Sequence, residues 1–555
     1  MSLGNVARTV LRRAVVVVAC TLVVVLVGLA GAVWWVVRAP LPTVAGDLQV
    51  TGLDAQVTVT RDARGVPTLV ASTAHDLFMA QGYVAAQDRF FEMDYRRHVT
   101  AGRLSELVGA DEQALAADTV VRTLGWRRVA EQEWDLLAPA TRDYLQAYAD
   151  GVNAYLEGRS PAQIAVEYTV LGLRVAVDAP EKWDPIDSLT WLKAMAWDLR
   201  SNYDDELARA RTYSTLADVA SVDALFPDYP QDVNPPILSD ALTSDTSASA
   251  SGADVELTSE AVQGALASAQ AALDAVPHLV GEGQGVGSNS WVVSGAYTTS
   301  GLPLLANDPH LSVSAPGIWM QVGLRCAALG PDCPYDVSGF SFAGFPGVII
   351  GHNGELAWAL TNLGADVTDF FLEKVTGGAA LVDGARVALT SRTETIKVAG
   401  GDPVTITVRS TRHGPIVSDV LNLDAVARVP AGGVATQVAL AWTALTPNRS
   451  ADAVLALDTA RDAADVQAAA ALFAAPAQNI LFATTDGHIG YQAPGLVPVR
   501  ARVVGSSLPS DGSWPRPGWD SAYDWQGYVE PDRLPRTLDP PQGYIVAANQ
   551  AVTPA

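Results

Sequence analysis

The chain opens on an apolar block and then passes through two kinds of periodicity. From Ala14 to Val37 no residue is charged; Arg8, Arg12 and Arg13 precede the block and Arg38 closes it. Such a stretch can cross a hydrocarbon core of roughly 30 Å, and arginines on its N-terminal side favour a cytoplasmic N-terminus with the rest outside. A cleavable signal is the alternative, because Ala30-Gly31-Ala32 has the small-x-small pattern. The apolar run nevertheless continues through Trp34, Trp35 and Val37. Next, "AQVTVTRDARGVPTLVAS" reads as two strands joined by an Arg-Gly turn. In "HDLFMAQGYVAAQDRFFEMDYRRHVTAGRLSELVG" apolar residues recur every three or four positions, predicting helix, and similar patterns cover about 127–156 and 188–213. From about 238 the chain turns small and polar ("LTSDTSASASGADVELTSE"), the composition of a linker, with "AVQGALASAQAALDAV" as a short helix inside it. Beyond Ser288 the pattern is β-rich: "WVVSGAY", "LAWALT", "TITVRSTRHG", "TQVALAWTAL" and "NILFATTDGHIGYQ", the last with a hairpin signal at Asp486-Gly487.

The resulting division is an anchor or signal at 1–38, a mostly helical region at 39–237, a linker at 238–287 and a mostly β region at 288–555. It predicts an α+β protein with helices covering sheets. The formal net charge of −24 excludes a nucleic-acid partner, which would need a basic surface to neutralise phosphates. It is compatible with binding divalent cations. Of three cysteines, Cys20 lies within the apolar block. Cys326 and Cys333 read as one small disulfide in an exported chain, with two free thiols as the alternative. A zinc site is not expected, since there is no second cysteine pair and the seven histidines are scattered.

The motif "GSNSW" sets Gly287-Ser288 after the linker and at the start of a strand-like run. Alone, a Gly-Ser pair is a turn. If the bond between them is cut, however, Ser288 carries a free α-amine beside its own hydroxyl. An α-amine titrates near 7.7–8.0, so it can act as the base for that hydroxyl with no histidine required.

At this point the sequence resembles the penicillin acylase family of N-terminal-nucleophile hydrolases, from about Leu53 to the end. "VTRDARGVPTLVA" and "GYVAAQDRFFEMDYRRHVTAGRLSELVG" are similar to the family's opening strands and long helix. "GSNSW" is similar to its maturation site, and "ANDPHL" and "FPGVIIGHNGELAWALTNLGADVTDFF" to its following blocks. The resemblance implies an αββα sandwich and hydrolysis of a small N-acyl amide, after self-cleavage of one precursor into α and β chains at Gly287-Ser288. It implies Ser288 as nucleophile and base. The Asn362 backbone N–H and the Asn549 side chain, in "GYIVAANQ", become the oxyanion donors. His310 orients the serine through its backbone and its ring, as in the cephalosporin-acylase and acyl-homoserine-lactone-acylase branches. A structural calcium ion is implied at Asp366, the Thr368 carbonyl, Asp369 and Glu206, oxygen donors of the kind calcium takes.

The chain ends at Ala555, shortly after Asn549, whereas family members continue. The resemblance therefore implies that later sheet strands, an arginine near the nucleophile and another calcium aspartate are missing. This raises the alternative of a membrane-anchored, catalytically disabled, acylase-like binding protein. A further alternative is an α/β-hydrolase whose nucleophile elbow is Ser341 in "GFSFAG", with His413 or His488 as base.

Overall fold

A computed structural model describes residues 3–199, 202–239, 250–280, 287–421 and 433–554. The chain is α+β, and its helical and β halves are not separate bodies. The largest sheet has nine strands. Its first two, Thr58–Arg61 and Pro67–Ala71, come from the N-terminal half. Pro67–Ala71 pairs in parallel with Trp319–Cys326 of the C-terminal half. The sheet continues through Asp336–Phe342, Ile350–His352, Leu356–Asn362, Gln478–Thr484, Ile489–Gln492 and Arg536–Leu538. The predicted Arg-Gly turn and the Asp486-Gly487 hairpin are both present.

The central strands are buried on both faces, and alternation sorts their side chains between two layers. Trp358, Leu360, Ile480 and Phe482 face the helices and share one core with Phe78, Met93, Tyr148 and Trp197. Ala359, Leu481 and Ala483 face the other way, onto Val292, Ile545 and Ala547 of a three-stranded sheet. That small sheet consists of Gly287–Val293 flanked by Leu304–His310 and Tyr544–Ala547. The layers are therefore helix, sheet, sheet. No helical layer covers the outer face of the small sheet among the described residues, so the fourth layer of the expected αββα sandwich is not seen. Trp291, Leu304 and Tyr544 are 40%, 53% and 51% exposed there.

The predicted helices appear with sharper boundaries. Ala74–Thr100 is capped by Thr73, whose hydroxyl accepts from the Asp76 N–H, and it is broken at Arg89. A separate short helix, Leu104–Val108, follows. The segment read as 127–156 is two helices, Trp126–Leu136 and Pro139–Leu156, and the segment read as 188–213 is Pro185–Asp198 and Tyr203–Leu216. Parts of the expected linker, 240–249 and 281–286, lie outside the described residues. The rest of it is not a loose spacer. Helix Glu260–Leu273 buries Val262, Leu266, Ala269 and Leu273, and Leu257 before it is fully buried. At the N-terminus, Leu3–Arg38 is one helix; its part Arg8–Arg38 is long and apolar enough to cross a membrane and has no side chain buried in the protein.

Candidate active site

Ser288 is the second residue of the middle strand of the small sheet and is buried. Opposite, Gly287 faces His310 and Ser288 faces Pro309. On the other side, the strand Tyr544–Ala547 ends and the chain turns at Asn549, which adopts φ = 61°. Asparagine is one of the few non-glycine residues that enters this left-handed region readily. The turn brings the Asn549 amide back over the start of the serine strand. The Ser288 N–H donates to Asn549 Oδ1 at 2.6 Å, and Ser288 Oγ donates to the Gly287 carbonyl oxygen at 2.6 Å. A Cβ on Gly287 would stand 3.0 Å from Asn549 Oδ1, so a side chain at this position crowds the amide.

A second strand brings Asn362 to the same place. Asn549 Nδ2 donates to the Asn362 carbonyl at 3.1 Å, joining residues 187 apart in sequence. The same carbonyl accepts at 3.0 Å from Nδ2 of Asn479, on the adjacent strand. Asn479 is fully buried; its Nδ2 also reaches Thr361 Oγ1 at 3.1 Å, and its Oδ1 accepts from the Tyr491 hydroxyl at 2.6 Å. Burial pushes the Tyr491 phenol far above its ordinary range, so it stays a neutral donor. Asn307, in "ANDPHL", stitches the two sheets together through the Leu360 N–H and carbonyl and the Asn289 carbonyl. Sequence reading missed Asn479, Tyr491 and Asn307. The available signal was an asparagine inside the otherwise apolar run "NILFAT", since a buried amide needs dedicated partners.

His310 is brought to the site by its backbone alone. Its ring is 42% exposed and pairs with Asp308 at 3.1 Å, while the Ser288 hydroxyl is engaged with Gly287. Beside Asn362 lies a narrow recess lined by Ala196, Leu199, Ala365, Val367, Trp442 and Ala477. Asn362 Oδ1 is buried there without a hydrogen-bond partner.

The four predicted calcium ligands are also gathered in one place, but they are already engaged. Glu206 Oε1 accepts from the Phe370 N–H at 2.9 Å, and the Thr368 carbonyl accepts from Asn202 Nδ2 at 3.1 Å. Asp366 and Asp369 are ion-paired with Arg500 at 2.5 and 2.9 Å. Arg516 lies 3.4 Å from the second oxygen of Asp369. Burial, then the charges of Asp369 and Asp366, push the Glu206 carboxyl well above its ordinary range. Asp366 is likewise raised by burial, against the opposing pull of Arg500. Glu206 Oε2 and Asp369 Oδ1 are buried without hydrogen bonds. The one trio of acidic and histidine groups among the described residues with ligand atoms within 4.8 Å of one another is Asp54, His75 and Asp76. As arranged, the expected set does not fit calcium.

Cys326 and Cys333 form a disulfide with Cα atoms 5.6 Å apart, and Cys20 is free. The elbow reading of Ser341 is overturned. Ser341 sits inside an antiparallel strand paired with Met320, is buried, and donates to the Phe345 carbonyl at 3.2 Å. A nucleophile elbow instead needs a strand-to-helix turn that exposes the hydroxyl. His413 is held between Glu373 and Asp524 beside a cleft of about 510 Å³ whose lining includes neither Ser341 nor Ser288. His488 pairs with Asp539.

The site thus sets a buried serine hydroxyl at a strand start, among amide groups delivered by two distant segments. The chain belongs to the penicillin amidase family, whose sequence model matches residues 56–555. It is 30% identical over 526 residues to penicillin acylase 2 proenzyme of Pseudomonas sp. (strain SE83), covering 93% of this chain and 61% of that protein. It is 32% identical over 536 residues to the acyl-homoserine lactone acylase QuiP of Pseudomonas aeruginosa, covering 94% and 59%. To the penicillin G acylase of Escherichia coli it is 27% identical, covering 90% and 59%. The chain therefore spans about three fifths of the length of the curated relatives it matches. A solved structure, the thermostable penicillin G acylase of Alcaligenes faecalis, overlaps 48% of this chain and 45% of its own at 26% identity. The TM-score is 0.40.

Proposed function

We propose that this chain is the precursor form of an N-acyl amide hydrolase that activates itself at Gly287-Ser288. The observation that carries the reading is the Ser288 hydroxyl, 2.6 Å from the oxygen of the carbonyl it has to attack, with its own N–H held by Asn549. In the self-cleavage step Oγ bonds to the Gly287 carbonyl carbon, the C–N bond breaks, and the hydroxyl proton ends on the departing nitrogen. Water then resolves the ester to a Gly287 carboxylate and a free Ser288 hydroxyl. The new α-amine, ordinarily titrating near 7.7–8.0, takes the proton from that hydroxyl as it attacks an external amide. The amine half leaves, and water hydrolyses the acyl ester.

In this reading two groups receive the oxyanion of each tetrahedral intermediate. One is the Asn362 backbone N–H. The other is Asn549 Nδ2, which has two N–H bonds and spends one on the Asn362 carbonyl. Fixed neutral donors of this kind lower the barrier without reorganising. In the same reading the fold is of the N-terminal-nucleophile type, and helix Leu3–Arg38 holds the catalytic part to the outer face of a membrane, or serves as its export signal. N-terminal sequencing of the purified protein tests the proposal: a chain starting Ser-Asn-Ser-Trp is expected, and Ser288→Ala should leave the precursor uncut. An uncut parent that binds N-acyl amides without hydrolysing them would replace this reading with a binding protein.

A further inference from the structure

Asp366, Thr368 and Asp369 present the carboxylate and carbonyl oxygens of a divalent-cation loop, yet a single side chain of this protein reaches all three. Arg500 Nε donates to Asp369 Oδ2 at 2.9 Å. Its Nη2 donates to Asp366 Oδ1 at 2.5 Å and to the Thr368 carbonyl at 3.5 Å, and both terminal nitrogens reach the Asp366 carbonyl at 3.3 Å. We infer that Arg500 occupies the seat of a divalent cation in this chain, so that a guanidinium and not calcium binds the loop together.

Three features support the assignment. The first is geometric. Calcium takes six to eight oxygens at about 2.3–2.6 Å, whereas the lone pairs here already point at N–H groups. Besides Arg500, the Thr368 carbonyl serves Asn202, and Asp369 Oδ2 accepts from the Trp525 indole. The carboxylate oxygens that accept no hydrogen bond, Glu206 Oε2, Asp369 Oδ1 and Asp366 Oδ2, are three, too few to coordinate an ion while the guanidinium stays. The second is that the seat is built for arginine. Gly512 packs against it at φ = 110°, and a Cβ there would collide with Asp366 Oδ2 and stand 2.8 Å from Arg500 Nε. The third is burial. The Arg500 side chain is 9% exposed, and a planar fork of fixed donors meets two carboxylates at once, which a lysine ammonium cannot do. The inference concerns the folded chain and holds whether or not Ser288 is a nucleophile.

The experiment uses the full chain. After chelator treatment and desalting, metal content is measured, and thermal melts are recorded with excess EGTA and with added calcium, for the parent and for Arg500→Ala. The parent should carry no stoichiometric calcium, and its melting temperature should be the same in both buffers. Arg500→Ala frees the oxygens, and its melting temperature should rise with calcium concentration, since an ion that binds only the folded state stabilises it. A parent that retains close to one calcium per chain, or melts lower in EGTA, overturns the inference. So does a folded Arg500→Ala that ignores calcium. If that variant does not fold, the parent's metal content and chelator response still decide.

Discussion

Replacing Asn479 by alanine should damage the site more than its distance from the serine suggests. The residue is fully buried and makes three hydrogen bonds, to Thr361 Oγ1, the Asn362 carbonyl and the Tyr491 hydroxyl. Truncation leaves the Tyr491 hydroxyl without its acceptor and opens a small cavity. Stranding one buried polar group costs about 1–3 kcal/mol, so a loss of roughly 2–5 kcal/mol in unfolding free energy is expected with the other bonds included. The functional effect follows from what Asn479 grips. It holds the Thr361 side chain and the Asn362 carbonyl, on either side of the peptide whose N–H is the proposed oxyanion donor. A displacement of about 1 Å at such a donor costs on the order of 10²-fold in rate, equivalent to about 2.7 kcal/mol of barrier. Tyr491→Phe is the control, because it strands Asn479 Oδ1 but leaves both grips intact. The assay pairs denaturant unfolding with steady-state hydrolysis of an N-acyl amide, well below the melting temperature of each variant. Asn479→Ala should lose turnover with little change in Michaelis constant, while Tyr491→Phe should lose stability and keep turnover within a few-fold. A folded Asn479→Ala with parental turnover and self-cleavage refutes the reasoning.

Asn549→Ala should lower turnover by about 10²–10³-fold, as loss of one oxyanion donor does. Because Asn549 sits at φ = 61°, Asn549→Gly should be as inactive but better folded, which unfolding curves will show. Gly287→Val should slow or stop self-cleavage, read as persistence of the single band on a denaturing gel, because its side chain crowds Asn549 Oδ1. Replacing both Cys326 and Cys333 by serine should lower stability by about 2–3 kcal/mol, the loop-closure value for so short a ring, without affecting self-cleavage. Burial raises the Asp94 carboxyl, but hydrogen bonds from His98 and Tyr168 and the Arg97 charge outweigh this and hold it well below the ordinary range. Its contribution to stability is therefore complete above about pH 4, where an unfolded aspartate is ionised, and is lost as pH falls below that. Unfolding curves between about pH 2 and 6 should show Asp94→Asn with a weaker acid dependence than the parent.

Ser288, Asn362 and Asn549 came from the resemblance of contiguous stretches, "GSNSW", the block around "LAWALTN" and "GYIVAANQ", to the family's motifs, and the fold brings the three together. What did not show is what distant segments do to one another. "PVRAR" looks like any strand with a basic residue, and nothing local says that Arg500 reaches across to Asp366 and Asp369. Asn479 is a single amide in an apolar strand, and its partners lie on strands far from it in sequence. His310 was legible as a member of the site, but its ring turns toward Asp308, and that choice is made by side-chain rotation. The stretch 250–280 looked like a spacer because its residues are small. Small residues at helical spacing are also what a helix needs to pack closely, and Ala269 and Ala272 are fully buried.

The way that stretch ends has a kinetic consequence. Leu279 and Val280 both donate their N–H groups to Asp198 at 2.6 Å, and the Val280 carbonyl accepts from the Ser312 N–H, just beyond the strand that holds His310. If the Gly287–Ser288 bond is cut as proposed, the new Gly287 carboxylate stays joined through seven residues to a point fixed by these three hydrogen bonds, so it cannot lie more than ~24 Å from Val280. It then competes with substrate from within the same molecule, and freshly processed protein should show inhibition that added substrate relieves.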